Sequence, residues 1–160
     1  MERINVYLGL GSNLGEREKN LLKAMNLMDE AFGMHPERIS RIVETPAWAF
    51  EGPSFLNMCV LYRLPRKGTP EQQGLEILRR VKEVEKALGR TKEALFDSEG
   101  KRIYQDRIID IDILCYGAHR IDLPELTVPH PLIAQRDFVK KPLLEISKPD
   151  IREAFPELFV

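Results

Sequence analysis

The sequence predicts an α+β sandwich: an antiparallel sheet with helices packed on it, plus a hairpin extension. Three observations predict it. Apolar patterns follow one another as strand, helix, strand, strand, helix, strand. Two of the helical segments carry a clear one-sided apolar stripe, and the repeated parallel βαβ spacing of a dinucleotide-binding chain is absent. With 160 residues, 43% hydrophobic and 31% charged, the chain fits a single domain over residues 1–160 that can bury a core without a covalent staple.

Each element has its own local reason. "INVYLGL", from Ile4, predicts a strand ending in the turn "GSNLG". A helix follows over about 16–32, because Leu21, Met25, Met28 and Phe32 recur on one face. "RISRIVETPAW" predicts a second strand stopped by Pro46, and "SFLNMCVLYRL" a third ending at Pro65. The second helix is the best marked, with Thr69 as N-cap, Pro70 at the first helical position, Gln72 completing a capping box and Gly89 past the last turn. Its expected inner face is Leu75, Leu78, Val81, Val84 or Glu85, and Leu88. From residue 92 to 105, "KEALFDSEGKRIYQ" loses all periodicity and predicts a long mobile loop, a feature that is usually functional in a compact domain. "DRIIDIDIL" is the fourth strand, "CYGAHRID" a turn into a short antiparallel strand, and "LTVPHP" leads into a helix over about 131–146. The last dozen residues show no pattern.

Composition excludes several classes of function. A net charge of −1 leaves no electrostatic footprint for nucleic acid. Cys59 and Cys115 sit in apolar runs with no C-x-x-C partner, which predicts buried thiols in a reducing compartment. The N-terminal apolar run is short and broken by Asn5, so neither a secretory segment nor a membrane span is expected. The expectation is a cytoplasmic protein, monomeric or a weak homodimer. "GLGSNLG" has G-x-G-x-x-x-G spacing, which fails the dinucleotide fingerprint, and no G-K-[ST] follows a strand. Its simplest reading is a tight turn in which Asn13 and the glycines supply left-handed conformations.

The fourth strand poses the chemical question. Alternation puts Asp110 and Asp112 on one face and Ile109, Ile111 and Ile113 on the other. The two acids then have Cα atoms roughly 6–7 Å apart, near enough to share a metal cluster. They are either a solvated pair on a half-exposed strand or an oxygen-only site suited to Mg²⁺, which usually brings phosphate with it. Arg90, Lys92, Lys101, Arg102 and Arg107 cluster in sequence around them, although any one alone is an ordinary surface charge. Phe55 and Asn57 share a strand face. Asn57 is either a satisfied core amide or the polar reader of a flat heterocycle beside an aromatic platform. Glu85 has the simple reading of a helix-surface acid paired with a base, His130 that of a structural histidine, and Trp48 that of a core anchor or a lid.

Taken together, "GLGSNLG", "ETPAW", "FLNMCV", "EKALGR", "DRIIDIDIL", "LTVPHP" and "QRDFVKKPLLEI" resemble, in order and over residues 5–146, the 6-hydroxymethyl-7,8-dihydropterin pyrophosphokinases of folate biosynthesis. The resemblance implies a ferredoxin-like fold and transfer of the β,γ-pyrophosphoryl unit of ATP to the pterin hydroxymethyl oxygen, with AMP as the other product. It implies two Mg²⁺ ions held by Asp110 and Asp112, with Arg90 and Arg107 as further catalytic groups. ATP would be held by Glu85, Lys92, Arg107, Ile113, Thr127, His130 and Arg136. The pterin would lie between Phe55 and Phe138, read by Asn57 with Thr45 and Pro46, and bordered by Trp48 and Asp110. The chain departs from some members in the loop, where a tryptophan is replaced by Tyr104, a proline by Asp106, and an arginine falls near Ile103. The rival reading is a non-catalytic ferredoxin-like module that binds metal or nucleotide.

Overall fold

A computed structural model describes residues 2–46, 53–89, 95–96, 98–99, 102–103 and 108–160. In chain order the elements are β1 (Arg3–Ser12), α1 (Arg17–Phe32), β2 (Arg38–Ile39), β3 (Val43–Thr45), β4 (Phe55–Pro65), α2 (Pro70–Ala87), β5 (Leu95–Phe96), β6 (Arg102–Ile103), β7 (Asp110–Tyr116), β8 (Ile121–Asp122), β9 (Thr127–Val128), α3 (Asp137–Ile146) and α4 (Pro149–Ala154). The main sheet runs β2–β4–β1–β7, with β3 also paired to β4, and every pairing is antiparallel. This interleaved order is that of the split β-α-β-β-α-β sandwich, and two-stranded ribbons β5–β6 and β8–β9 are added to it.

Alternation along each strand builds a core on both faces of the sheet. On the first face Val6, Leu8 and Leu10 of β1, Met58, Val60 and Tyr62 of β4, and Ile111 and Ile113 of β7 pack against Leu21, Ala24 and Met28 of α1 and Ile77, Val81 and Val84 of α2. On the second, Tyr7, Leu61 and Cys115 meet Leu143, Ile146, Ile151, Phe155 and Leu158. The apparently patternless C-terminus therefore supplies a core. Residues 149–154 form α4 and Pro156–Phe159 a 3₁₀ turn, both laid on the sheet. Both cysteines are buried free thiols, and burial pushes the Cys59 thiol up to about 12.

Several boundaries differ from expectation for identifiable reasons. The second strand is split into β2 and β3 because Ser40 substitutes its hydroxyl for a main-chain acceptor. Its Oγ accepts from the Cys59 N–H at 2.8 Å while its own N–H donates to the Cys59 carbonyl at 2.9 Å. The capping box of α2 is present as expected, with Thr69 Oγ1 accepting from the Gln72 N–H at 3.1 Å. The buried stripe of this helix, however, is turned to Gln73, Gly74, Ile77, Val81, Val84 and Glu85, leaving Leu75, Leu78 and Leu88 at the core's margin. Two contacts fix that rotation. A Cβ on Gly74 would lie 2.9 Å from the end methyl groups of Ile121 and Leu126, so glycine lets these side chains of the β8–β9 ribbon seat on the helix without shifting. The Gln73 amide serves the Pro65 carbonyl, the Lys67 N–H and the Tyr116 hydroxyl.

The 92–105 segment contains the β5–β6 ribbon where no regular structure was expected. The third helix starts at Asp137, not near 131, because Arg136 adopts an extended backbone after a 3₁₀ turn at Ile133–Gln135. In β7 the alternation holds from Ile109 to Ile113 and then breaks. Leu8 pairs with Ile113 and Tyr7 with Cys115, leaving Leu114 as an extra residue, so Leu114 and Cys115 both enter the second core.

A polar latch fastens the C-terminus. The buried Tyr7 hydroxyl donates to Asp150 Oδ1 at 2.8 Å and accepts from the Lys148 N–H at 3.1 Å, while Asn5 donates to Asp150 Oδ2 at 3.0 Å. Burial raises the Tyr7 phenol well above its ordinary pKa, which keeps it a donor. Asp150→Ala strands that donor, so urea unfolding should show a loss of about 1–3 kcal/mol. Adding Tyr7→Phe to Asp150→Ala should recover part of the loss, and no recovery would show that the latch acts through other contacts. Among the described residues no helix is long and apolar enough to cross a membrane.

Candidate active site

The C-terminal layer covers only part of the second face. Where it stops, a cavity of about 540 Å³ opens over the upper halves of β1, β4 and β7. Its floor is Gly9 and Gly11, consecutive residues on that face of β1. A Cβ at Gly11 would come within 3.1 Å of Asn57 Oδ1, and one at Gly9 within 3.3 Å of Leu114, so these glycines keep the floor low. The motif was expected to be a turn of left-handed glycines, yet only Gly15 among its glycines has positive φ, at 70°. Gly9 and Gly11 are strand residues needed for lack of a side chain. The rest of the motif is a bracket, in which Asn20 donates to Ser12 Oγ and the Leu14 carbonyl, and Asn13 donates to the Pro53 carbonyl.

One wall comes from β4 and β3. Thr45 is the register partner of Phe55, and Asn57 Nδ2 donates to Thr45 Oγ1 at 2.9 Å. The amide is thus oriented through its nitrogen, with Phe55 beside it on the cavity wall. The opposite wall is β7, where Asp110 and Asp112 are half-buried and face the cavity while Ile111 and Ile113 are buried in the first core. Register places Gly11 between Asn57 and Asp110, and Gly9 between Cys59 and Asp112. A third side is formed by the start of α3, with the Arg136 guanidinium 5.8 Å from the centre of the Phe138 ring.

His130 also lines the cavity, held by its N–H on the Leu114 carbonyl at 2.8 Å. Its Nδ1 accepts from the Leu132 N–H at 3.2 Å, so the neutral ring carries its proton on Nε2. Burial first, then the Arg136 charge, lowers its pKa against the opposing pull of Asp110, which favours that neutral donor form. Glu85 is not the surface acid its helix position suggested. It is 5% exposed, and its Oε2 accepts the Ile111 N–H at 2.8 Å along the outer edge of β7. Antiparallel alternation sends the Ile113 main chain to the same edge, although its side chain is core and does not line the cavity. Thr127 is exposed on β9, likewise outside the lining.

The cavity therefore gathers Thr45, Pro46, Phe55, Asn57, Glu85 and Asp110, and with them Asp112, His130, Arg136 and Phe138. Trp48, Arg90, Lys92 and Arg107 lie outside the described residues. Lys82 and Glu125 line it too, and sequence reasoning missed them. For Lys82 a signal existed, since Leu78, Lys82 and Glu85 fall on one helical face. Among the described residues no group of three His, Cys, Asp or Glu side chains could hold a metal alone. Two carboxylates on one wall fit Mg²⁺ nonetheless, because that ion is commonly held by one or two carboxylates together with waters and substrate phosphates.

Comparison with known proteins identifies the family. The family model described as 7,8-dihydro-6-hydroxymethylpterin-pyrophosphokinase matches residues 7–148. A 2-amino-4-hydroxy-6-hydroxymethyldihydropteridine pyrophosphokinase of Porphyromonas gingivalis is 40% identical over 144 residues, 89% of this chain and 90% of its own length. Proteins of the same name from Aquifex aeolicus and Bacillus subtilis are 39% and 33% identical, over 88% and 92% of this chain and 79% and 81% of theirs. A match over nearly the whole sandwich, with both walls and the floor of the cavity inside it, makes the chain a member of the 7,8-dihydro-6-hydroxymethylpterin-pyrophosphokinase family.

Proposed function

We propose that the cavity holds ATP and 6-hydroxymethyl-7,8-dihydropterin together, with the β4 wall taking the pterin and the β7 wall the phosphates. The reaction is the family's, pyrophosphoryl transfer in folate synthesis. The hydroxymethyl oxygen bonds to the β-phosphorus of ATP, the bond from that phosphorus to the α–β bridging oxygen breaks, AMP leaves and the hydroxyl proton is released. The observation that carries the reading is the opposition of two chemistries across a side-chain-free floor. Asn57 and Phe55 stand on one side of Gly9 and Gly11, and Asp110 and Asp112 on the other.

Asn57 matches the amide-like edge of the pterin, with Thr45 fixing its orientation and Pro46 beside it. Phe55 and Phe138 offer aromatic faces for the ring, and Asp110 borders it. Arg136 supplies positive charge for phosphate oxygens and His130 a neutral Nε2–H donor. Glu85, the Ile113 main chain and Thr127 belong to the nucleotide end along the β7 edge, with Lys82 beside Glu85. Asp110 and Asp112 would hold two Mg²⁺ ions, which when bound would supply positive charge against the phosphates during an in-line displacement. For Arg90, Lys92 and Arg107 a phosphate role, and for Trp48 a pterin role, is carried by the family resemblance alone, since all four lie outside the described residues. The test is product identity. Protein mixed with ATP, Mg²⁺ and the dihydropterin should release AMP in step with pterin diphosphate, and pterin-dependent release of ADP would overturn the reaction.

A further inference from the structure

Arg17, the first residue of α1, is spent on something other than its helix. A cation in the first turn opposes the helix dipole, and the N-cap residue Glu16 makes no side-chain cap hydrogen bond that could offset it. The guanidinium instead reaches the two strand ends that form the β4 wall. Its Nη1 lies 3.0 Å from Glu44 Oε2, 2.9 Å from the Ser54 carbonyl and 2.9 Å from Ser54 Oγ. The ring of contacts closes on itself, because Ser54 Oγ donates to Glu44 Oε2 at 2.6 Å. The hydroxyl hydrogen bond, with Arg17 second, holds the Glu44 carboxyl below its usual range.

These partners sit next to the candidate pterin residues in sequence. Glu44 precedes Thr45 and Ser54 precedes Phe55, and Thr45 and Phe55 are register partners across the β3–β4 pair. Asn13 adds a parallel tie to Pro53 at 3.1 Å. The β3–β4 pairing is only three residues long, too short to fix side chains at its open end without help. The side chain of Asn57 depends on Thr45 for its orientation, so a shift at Glu44 is passed to the amide that faces the ligand.

We propose that Arg17 is a positioning residue for the pterin subsite, clasping Glu44 to Ser54 so that Thr45, Phe55 and Asn57 hold one arrangement for a flat heterocycle. The inference rests on the pterin reading of the β4 wall. It separates Arg17 from any contact with ATP, because neither Arg17 nor its partners Glu44 and Ser54 line the cavity that holds the aspartates.

The experiment compares steady-state kinetics of Arg17→Ala, Arg17→Lys, Glu44→Gln and Asn57→Ala with the unaltered protein, on folded samples judged by thermal unfolding. Arg17→Ala should raise KM for the dihydropterin about 10-fold, leave KM for ATP within about 2-fold and leave kcat within about 3-fold. Glu44→Gln should do the same more mildly, and Arg17→Lys should recover part of the loss by keeping one charge-assisted bond. Should Arg17→Ala fail to fold, Glu44→Gln carries the test alone, since its neutral amide keeps the shape and weakens the clasp. An unchanged pterin KM in the folded Arg17 and Glu44 variants, with a raised one in Asn57→Ala, overturns the clasp while the subsite stands. An unchanged pterin KM in Asn57→Ala overturns the subsite itself, and parallel rises in both substrates' KM show general loosening and reject a positioning role.

Discussion

Asp110→Ala and Asp112→Ala should each lower kcat by at least about 100-fold while the protein stays folded. A 100-fold loss corresponds to about 2.7 kcal/mol of transition-state stabilisation, well within the several kcal/mol that a metal clamp supplies to a phosphoryl group. The fold should survive because neither carboxylate belongs to a core. Both face the cavity from β7, whose ties to β1 are main-chain and which is anchored by the buried Ile111 and Ile113, with Ile109 just before it. The conservative pair Asp110→Asn and Asp112→Asn sharpens the test, since it keeps the shape and removes one unit of charge. If the aspartates are ligands, the asparagine variants should lose nearly as much turnover and should need more Mg²⁺ to reach half-maximal rate. Near-normal kcat in any of these variants, or an unchanged Mg²⁺ requirement, would remove the metal role and leave the pair as a solvated feature of a half-open strand. Calorimetry adds a readout without turnover. Binding of a nonhydrolysable ATP analogue with Mg²⁺ should weaken in both variants, while binding without the ion should change little.

The parts of the fold legible in the sequence were those where one local cause decides. The capping box at Thr69 and Gln72 fixes the start of α2 without help from the rest of the chain. The two-residue period of β7 sorts isoleucines from aspartates because the sheet on one side is packed and on the other open. What stayed hidden was set by partners distant in sequence. No pattern at 38–45 shows that the Ser40 hydroxyl will take the Cys59 N–H and split the strand. The rotation of α2 depends on Tyr116 and Ile121 reaching Gln73 and Gly74 from more than 40 residues away. The C-terminal turns lack periodicity because α4 is six residues long and its burial is decided by a single side chain, Ile151, 0% exposed. The site shows the same division. Its motifs were visible one by one, but the Arg17 clasp joins Glu44 and Ser54 across the β3–β4 connection and has no linear signature.

Gly11→Val tests the low floor on which the two-walled reading depends. Gly11 is not among the glycines with positive φ, so its backbone suits any residue, and a β-branched side chain is at home in a strand. The fold should tolerate the change, but the space above it should not. The new Cβ begins 3.1 Å from Asn57 Oδ1 and 3.5 Å from the Phe55 ring, and the methyl groups project further into the cavity between them. Asn57 must turn away or the ligand must ride higher, and overpacking of this kind costs roughly 1–3 kcal/mol. At about 2 kcal/mol the dihydropterin KM rises about 30-fold, whereas ATP, whose proposed contacts lie along β7 and its outer edge, should keep its affinity within about 3-fold. Gly9→Ala is the internal control. Its Cβ would press on Leu114 at 3.3 Å, not on Asn57, so its effect on pterin should be several-fold smaller. A folded Gly11→Val protein with an ordinary pterin KM would mean that the heterocycle does not lie over Gly11. Equal losses for pterin and ATP would mean that the floor serves both substrates, and the division of the cavity into a β4 wall for one and a β7 wall for the other would then fall.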